Sequence, residues 1–167
     1  NLGSVMKLSL SEAARMVIKK RFAELEHTEY RDFNIEAIYQ NLKSYIPVLL
    51  ILTKKYSSVV ANPPYLAGSN MDSVLRNYIL QSYPQGKNDL GNVFITVCQN
   101  LGSKNGHVSF INQEAWIYKK TYKKLRQLFL TKTRLLSLLH LGPGVFKELK
   151  GEVVQNVALS FINSSHS

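Results

Sequence analysis

The chain contains 167 residues, the length of one ordinary domain with a single hydrophobic core. Lys and Arg together number 21 and Asp and Glu 11, so the formal net charge is +10, while 45% of the residues are apolar. The apolar content excludes a disordered polyelectrolyte, and the excess of positive charge favours a polyanionic partner such as nucleic acid.

The first 56 residues are predicted to form a helical segment with the character of an insertion. Ser9 and Glu12 match the S-x-x-E pattern of a capping box, and apolar residues at helical spacing follow, which predicts a helix over 10–27. Asn34 is expected to cap a second helix that continues to Leu50 with a kink at Pro47. Neither helix carries a chemical signature.

From residue 57 onward the pattern alternates between strands and helices. Strands are predicted at 57–61, 108–111, 135–141 and 153–162. Helices are predicted at 71–83, at 90–101 with Asp89 at the capping position, and at 118–130. This order is typical of one half of an open α/β sheet whose last two strands pair antiparallel.

The sharpest motif is Asn62-Pro63-Pro64-Tyr65, directly after the first predicted strand. Ligands of α/β sheets collect where strands end, and two prolines fix the backbone there. The Asn62 amide oxygen and the Pro63 carbonyl can therefore accept hydrogen bonds from one NH2 group, while Tyr65 offers a ring for stacking. The alternative is a proline-stiffened turn whose Asn caps it and whose Tyr only packs.

The motif resembles the N-P-P-Y signature of amino-group methyltransferases that use S-adenosylmethionine. A longer set of runs resembles the adenine-specific DNA methyltransferases of bacteriophage-exclusion (BREX, PglX-like) systems, at residues 1–4, 56–65, 87–94, 113–116, 140–142 and 151–155. The resemblance implies the second half of a Rossmann-like catalytic domain at 57–163, between the helical segment at 1–56 and a polar tail at 164–167. It also implies a role in phage defence or restriction-modification.

The resemblance implies roles for single residues as well. Asn62 and Pro63 would accept hydrogen bonds from the amino group of a flipped adenine, beside Pro64, and Tyr65 would stack on the base. Phe146 would meet the other face of the base, with an ordinary core phenylalanine as the alternative. Asp89 would border cofactor and target, or simply cap its helix. Trp116 matches a position near the base pocket, or it packs in the core.

The cofactor part of such an enzyme has no counterpart in this sequence. Related enzymes hold S-adenosylmethionine on a glycine-rich loop after their first strand, and the spacing Gly102-x-x-x-Gly106 does not fit such a loop. We therefore expect the chain to begin after the third strand of the domain. We also expect the isolated chain to be inactive, without appreciable S-adenosylmethionine binding, and to depend on the rest of the parent protein.

A basic run within the helix predicted at 118–130 is a candidate contact with DNA. On one helix, Lys119 and Lys123 would lie one turn apart, as would Lys120 and Lys124, with Tyr118 and Tyr122 between them. A solvated helix face is the alternative.

Other sites are not indicated. The four histidines are scattered without metal-ligand spacing, so no metal is predicted. Cys98 is a single cysteine, and the longest aliphatic stretch, 46–52, is too short for a membrane span, which favours a cytoplasmic protein. Two other functions remain open: a protein-glutamine methyltransferase, and a catalytically inactive DNA-binding or interaction module. Neither the recognised DNA sequence nor the oligomeric state can be predicted.

Overall fold

The computed structural model describes residues 2–28, 32–142 and 155–164. The chain divides into two compact units. One consists of Lys7–Lys54 and is helical; the other consists of Asn1–Met6 and Lys55–Ser167 and contains the sheet. No helix in the described part of the chain is both long and apolar enough to cross a lipid bilayer.

The helical unit begins with α1 (Glu12–Glu26). Ser11 is its cap, because the backbone of Ser11 is extended and its hydroxyl accepts a hydrogen bond from the amide of Ala14 at 3.1 Å. The prediction that Ser9 caps this helix is therefore wrong by two residues.

The predicted second helix is in fact two helices, α2 (Phe33–Leu42) and α3 (Tyr45–Thr53). Asp32 caps α2 by accepting a hydrogen bond from the amide of Asn34 at 2.9 Å, so Asn34 is not the cap. Pro47 lies in the first turn of α3, where a helix needs no amide donor. The expected kink at Pro47 is therefore wrong: the chain breaks before the proline instead of bending at it.

The other unit contains a four-stranded sheet in the order β1-β2-β4-β3. Its strands are β1 (Tyr56–Ala61), β2 (Gly102–Gln113), β3 (Arg134–Gly142) and β4 (Asn156–Ile162). β1 and β2 are parallel, and β4 runs antiparallel to both of its neighbours, as expected for the last two strands. The carboxyl ends of β1, β2 and β3 therefore meet the amino end of β4 at one edge, here called the carboxyl edge.

Helix α5 (Leu90–Leu101) connects two apolar clusters. Ile95 and Cys98 pack in the cluster that covers β2 and β4, whereas Val93 and Val97 pack in a second cluster. The second cluster includes Ile79 of α4 (Ser73–Ser82). Because α5 is apolar on two sides, it packs against the sheet through one cluster and against α4 through the other.

The basic segment is not one helix. It consists of α6 (Ala115–Tyr118), a single 3-10 turn at Lys120–Tyr122 and α7 (Lys123–Lys132). Lys119 has a ψ of 134°, which is extended, and Arg126 Nη1 donates to the carbonyls of Trp116 and Lys119, at 2.8 Å each. The predicted helix over 118–130 is therefore wrong at its start, because Arg126 stabilises the break.

Strand β2 is longer than predicted and includes the segment from Gly102 to Gly106. The pairing with β1 shifts there, from Tyr56 opposite Gly102 to Ser58 opposite His107. Asn163 directly precedes the predicted polar tail, and its side-chain nitrogen donates to the carbonyls of Gln99 and Gly102, so this residue is held in place. Residues 153–154 of the predicted last strand lie outside the described residues.

Candidate active site

The Asn62-Pro63-Pro64-Tyr65 motif leaves β1 at the carboxyl edge. Asn62 and Pro64 are exposed, Pro63 is buried and Tyr65 is half-buried. The Tyr65 hydroxyl lies 3.4 Å from both Asn62 Oδ1 and the carbonyl oxygen of Ile111, which makes two long hydrogen bonds. The buried Pro63 thus anchors the backbone next to the exposed amide of Asn62, and the Tyr65 ring beside that amide packs toward β2.

The segment after the motif is fixed by the residues that precede α5. The amide of Gly68 donates to the carbonyl of Asn88 at 2.8 Å, and the amide of Leu90 donates to the carbonyl of Leu66 at 2.9 Å. These hydrogen bonds tie both sides of a short antiparallel bridge between Ala67 and Asp89. The loop is therefore held from two directions, by β1 before it and by this bridge after it.

Asp89 caps α5, which is one of the two roles predicted for it. Its Oδ1 accepts a hydrogen bond from the amide of Gly91 at 2.8 Å. Burial raises the pKa of the Asp89 carboxyl, although the amides of Gly91 and Asn92 partly lower it. Burial, together with the Asp89 charge, raises the pKa of the Tyr65 hydroxyl, so Asp89 lies within electrostatic reach of the motif.

A buried pair of asparagines supports this arrangement, and the sequence motifs do not include it. Asn112 lies at the end of β2 and is fully buried; its Nδ2 donates to Asn92 Oδ1 at 3.1 Å. Asn112 Oδ1 accepts from the amide of Gln113 at 2.8 Å. Both asparagines interrupt apolar runs close to the carboxyl edge, which is the signal that identifies them.

Gly91 lies where these groups converge. A Cβ placed on Gly91 would lie 2.6 Å from Asn112 Oδ1, 3.0 Å from Asp89 Oδ1 and 3.3 Å from Tyr65 Cδ1. A side chain at this position would therefore push apart the buried amide, the helix cap and the motif ring at once.

We expect Gly91→Ala to destabilise the chain by about 1–3 kcal/mol, the usual cost of overpacking. In an open helix the same change would stabilise by up to about 1 kcal/mol, so the sign of the effect is informative. Urea unfolding measures it, with Asn77→Ala on the exposed side of α4 as the control. A Gly91→Ala chain more stable than the unsubstituted chain would contradict the packing described here.

A second polar cluster lies farther along the carboxyl edge and brings distant parts of the sequence together. Glu114 follows β2, accepts a hydrogen bond from the Tyr118 hydroxyl at 3.2 Å and pairs with His140 of β3. With its carboxamide nitrogen facing Glu114, Gln155 donates to both carboxylate oxygens, at 3.0 and 3.1 Å. The amide of Glu114 also donates to the carbonyl of Gln155 at 3.0 Å. Glu114 thus joins β2, β3 and β4.

Other predicted residues are placed as follows. Trp116 is buried and packs edge-on against Phe129, with ring centroids 5.4 Å apart, so it belongs to the core. Four lysines of the basic segment are exposed: Lys119, Lys120, Lys123 and Lys124. They do not share one helix, and Tyr122 between them is buried. Phe146 lies outside the described residues.

The described residues were also compared with the usual ligand sets of metal ions. Among residues 2–28, 32–142 and 155–164, no three His, Cys, Asp or Glu side chains are grouped to hold a metal ion. Cys98 is buried, and burial raises the pKa of its thiol to about 11. The polar groups that the carboxyl edge offers are therefore amide, hydroxyl, carboxylate and imidazole groups.

Comparison with known sequences finds methylases and methyltransferases. A model of the Eco57I restriction-modification methylase family matches residues 5–146. The chain is 34% identical over 123 residues to "Adenine-specific methyltransferase BrxX" of Escherichia coli O9:H4 (strain HS), which covers 74% of this chain and 10% of the relative. It is also 34% identical over 117 residues to "Adenine-specific methyltransferase PglX" of Lacticaseibacillus casei (strain Zhang), covering 70% and 10%. The chain thus spans about a tenth of the length of these curated relatives.

Solved structures agree on the fold. A chain described as a modification subunit of a type I restriction enzyme from Vibrio vulnificus YJ016 superposes with a TM-score of 0.53 at 11% identity, covering 88% of this chain and 38% of that one. A chain described as a class I S-adenosylmethionine-dependent methyltransferase from Listeria monocytogenes gives 0.52 at 13% identity, covering 68% and 33%. The predicted α/β methyltransferase fold is confirmed.

Proposed function

Because the chain belongs to the Eco57I restriction-modification methylase family, we propose that it forms the target-binding half of an adenine-specific DNA methyltransferase. The resemblance of the sequence to the methyltransferases of bacteriophage exclusion is confirmed by both curated relatives. Its parent protein would methylate DNA as part of phage defence or restriction-modification.

The observation that carries the proposal is the position of Asn62. Its side chain is exposed at the carboxyl edge while Pro63, directly after it, is buried. The amide oxygen accepts a long hydrogen bond of 3.4 Å from the Tyr65 hydroxyl, and its second lone pair is available to a ligand. The backbone that carries it is anchored at low entropic cost.

In the proposed reaction, Asn62 Oδ1 and the Pro63 carbonyl accept hydrogen bonds from the exocyclic amino group of adenine. These bonds draw the nitrogen lone pair out of conjugation with the ring and direct it toward the methyl donor. Tyr65 stacks on the base after it has left the duplex, since a paired amino group cannot be reached. S-adenosylmethionine, when bound, supplies an electrophilic methyl group.

The residues of this chain fit the methyl acceptor rather than the cofactor. β1 is an outer strand of the sheet: it pairs only with β2 among the strands of the described residues, and its Val60 is 80% exposed. The free side of such an outer strand is suited to pairing with a further strand. We propose that the main S-adenosylmethionine-binding motif belongs to another part of the parent protein and that the isolated chain does not turn over.

DNA is the proposed macromolecular partner, in agreement with the net charge of +10. The exposed lysines at 119, 120, 123 and 124 supply a basic surface, although the break before α7 separates the first two from the others. They would neutralise backbone phosphates without reading the sequence.

Activity of the complete parent protein tests the proposal. Unmethylated duplex DNA and S-adenosylmethionine labelled in its methyl group should give labelled adenine after digestion to nucleosides. DNA already methylated at the recognised adenines is the control and should take up no label. Label recovered on glutamine of a protein would instead favour the glutamine methyltransferase, and no transfer to either acceptor would favour an inactive module.

A further inference from the structure

A cleft of about 460 Å³ lies at the opposite edge of the sheet from Asn62. It is formed where β1 and β2 begin and β4 ends, and it is called here the amino-edge cleft. Side chains and backbone from all these segments, with α5 and α7, contribute to its wall. The lining residues used in the argument are Lys55, Gln99, Lys104, Lys132 and Asn163.

The amino-edge cleft is strongly cationic. Lys55, Lys104 and Lys132 belong to its lining, and the described residues that line it include no carboxylate. None of the three has an ion-pair partner among the described residues. Between residues 55 and 142 the acidic residues are confined to positions 72, 89 and 114, at the start of α4 and near the carboxyl edge. Among the described residues, then, no ion pair neutralises the positive charge of the cleft.

Neutral donors accompany the lysines. Gln99 lines the cleft, is only 8% exposed, and its side-chain nitrogen has no hydrogen-bond partner among the described residues. A buried amide nitrogen without an acceptor is unfavourable, so a site for an acceptor is expected beside it. Asn163 fixes this wall by donating to the carbonyls of Gln99 and Gly102, and Lys55 is held by the carbonyl of Asn100.

We propose that the amino-edge cleft binds a phosphoryl group. A phosphoryl group presents several acceptor oxygens around one centre of negative charge, which suits a cleft lined by three lysines and a buried amide donor. The cleft volume lies within the range typical of small-molecule sites, so a phosphate ester fits as well as the bare ion. The group belongs either to a nucleic-acid backbone or to a free phosphate ester.

The site is independent of the proposed methyl transfer, because it lies at the other end of the strands and uses none of the motif residues. Binding to the 167-residue chain can therefore be measured without any turnover. Two probes separate the two sources: inorganic phosphate, followed by chemical shifts in nuclear magnetic resonance, and a short fluorescent DNA duplex, followed by anisotropy.

The test compares two double variants that lose the same charge. Lys104→Gln with Lys132→Gln changes the cleft, and Lys19→Gln with Lys20→Gln changes an exposed part of α1 in the helical unit. All four lysines are exposed, so both double variants should fold, and thermal unfolding verifies this. Gln99→Met removes the amide at nearly constant volume and constant charge.

We expect the cleft variant to weaken phosphate binding by at least about tenfold, as for the loss of charge-assisted hydrogen bonds, and the α1 variant to leave it unchanged. Gln99→Met should weaken phosphate binding several-fold. A parallel loss of duplex affinity in the cleft variant would assign the group to a nucleic-acid backbone, whereas unchanged duplex affinity would assign it to a free ester. Equal affinities of the two double variants for both probes would overturn the proposal, since only net charge would then matter.

Discussion

Asn62→Ala in the complete parent enzyme is expected to abolish methyl transfer to DNA while leaving the affinity for S-adenosylmethionine largely intact. The side chain is exposed at the carboxyl edge, where its oxygen is one of two acceptors proposed for the adenine amino group. Removal of one preorganised hydrogen-bonding group from an active site typically costs about 10²–10³ in kcat. Single-turnover transfer of labelled methyl groups measures the chemical step, and calorimetry measures cofactor affinity.

Two further variants make this result interpretable. Asn62→Asp keeps an acceptor oxygen in the same place, and it should retain part of the activity that Asn62→Ala loses. Asn77→Ala removes an exposed asparagine from α4, away from the motif, and should behave like the unsubstituted enzyme. Undiminished transfer by Asn62→Ala would remove this residue from the mechanism. A loss of cofactor affinity that matches the loss of transfer would instead assign Asn62 to cofactor binding.

Much of the sheet could be predicted from the sequence because its signals are local. The first strand is short and β-branched, two prolines stop it, and it ends at Ala61 as expected. The cap of α5 at Asp89 and the end of that helix before Gly102 follow from equally local chemistry. For the same reason the position of the motif at the end of a strand is predictable from the residues around it.

The predictions from sequence are wrong where contacts in the folded chain, and not the local pattern, determine where a helix begins. Ser9 heads the S-x-x-E pattern, yet in the folded chain the hydroxyl of Ser11 accepts the hydrogen bond from the amide of Ala14. The periodicity of 118–130 is helical, yet Arg126 satisfies two carbonyls and so stabilises a break that periodicity cannot indicate.

The supporting groups of the site are also distant in sequence. Asn92 and Asn112 form a hydrogen bond between α5 and β2, and Glu114 contacts His140 of β3. Such contacts depend on the strand order β1-β2-β4-β3, which no single segment specifies. The sequence therefore predicts the reactive loop more readily than the structure that holds it.

The second large effect is expected at Tyr65, where two substitutions separate the ring from the hydroxyl. Tyr65→Phe should lower kcat/KM only slightly, because the hydroxyl makes hydrogen bonds of 3.4 Å, which are long and weak. Tyr65→Ala should lower kcat/KM by about tenfold to a hundredfold or more, since stacking on a base is worth about 1–3 kcal/mol. Steady-state transfer to DNA by the complete enzyme measures both.

Loss of the ring also removes packing next to Gly91, so stability has to be measured beside activity. Thermal unfolding of each variant is measured with and without DNA. If a variant is still folded at the assay temperature, a fall in kcat/KM is due to the lost ring at the site and not to unfolding. Tyr45→Ala is a matched control, because Tyr45 is 70% exposed in the helical unit, outside the proposed site. If Tyr65→Phe and Tyr65→Ala had comparable activities, the ring would have no stacking role, and base recognition would have to depend on Asn62 and Pro63 alone.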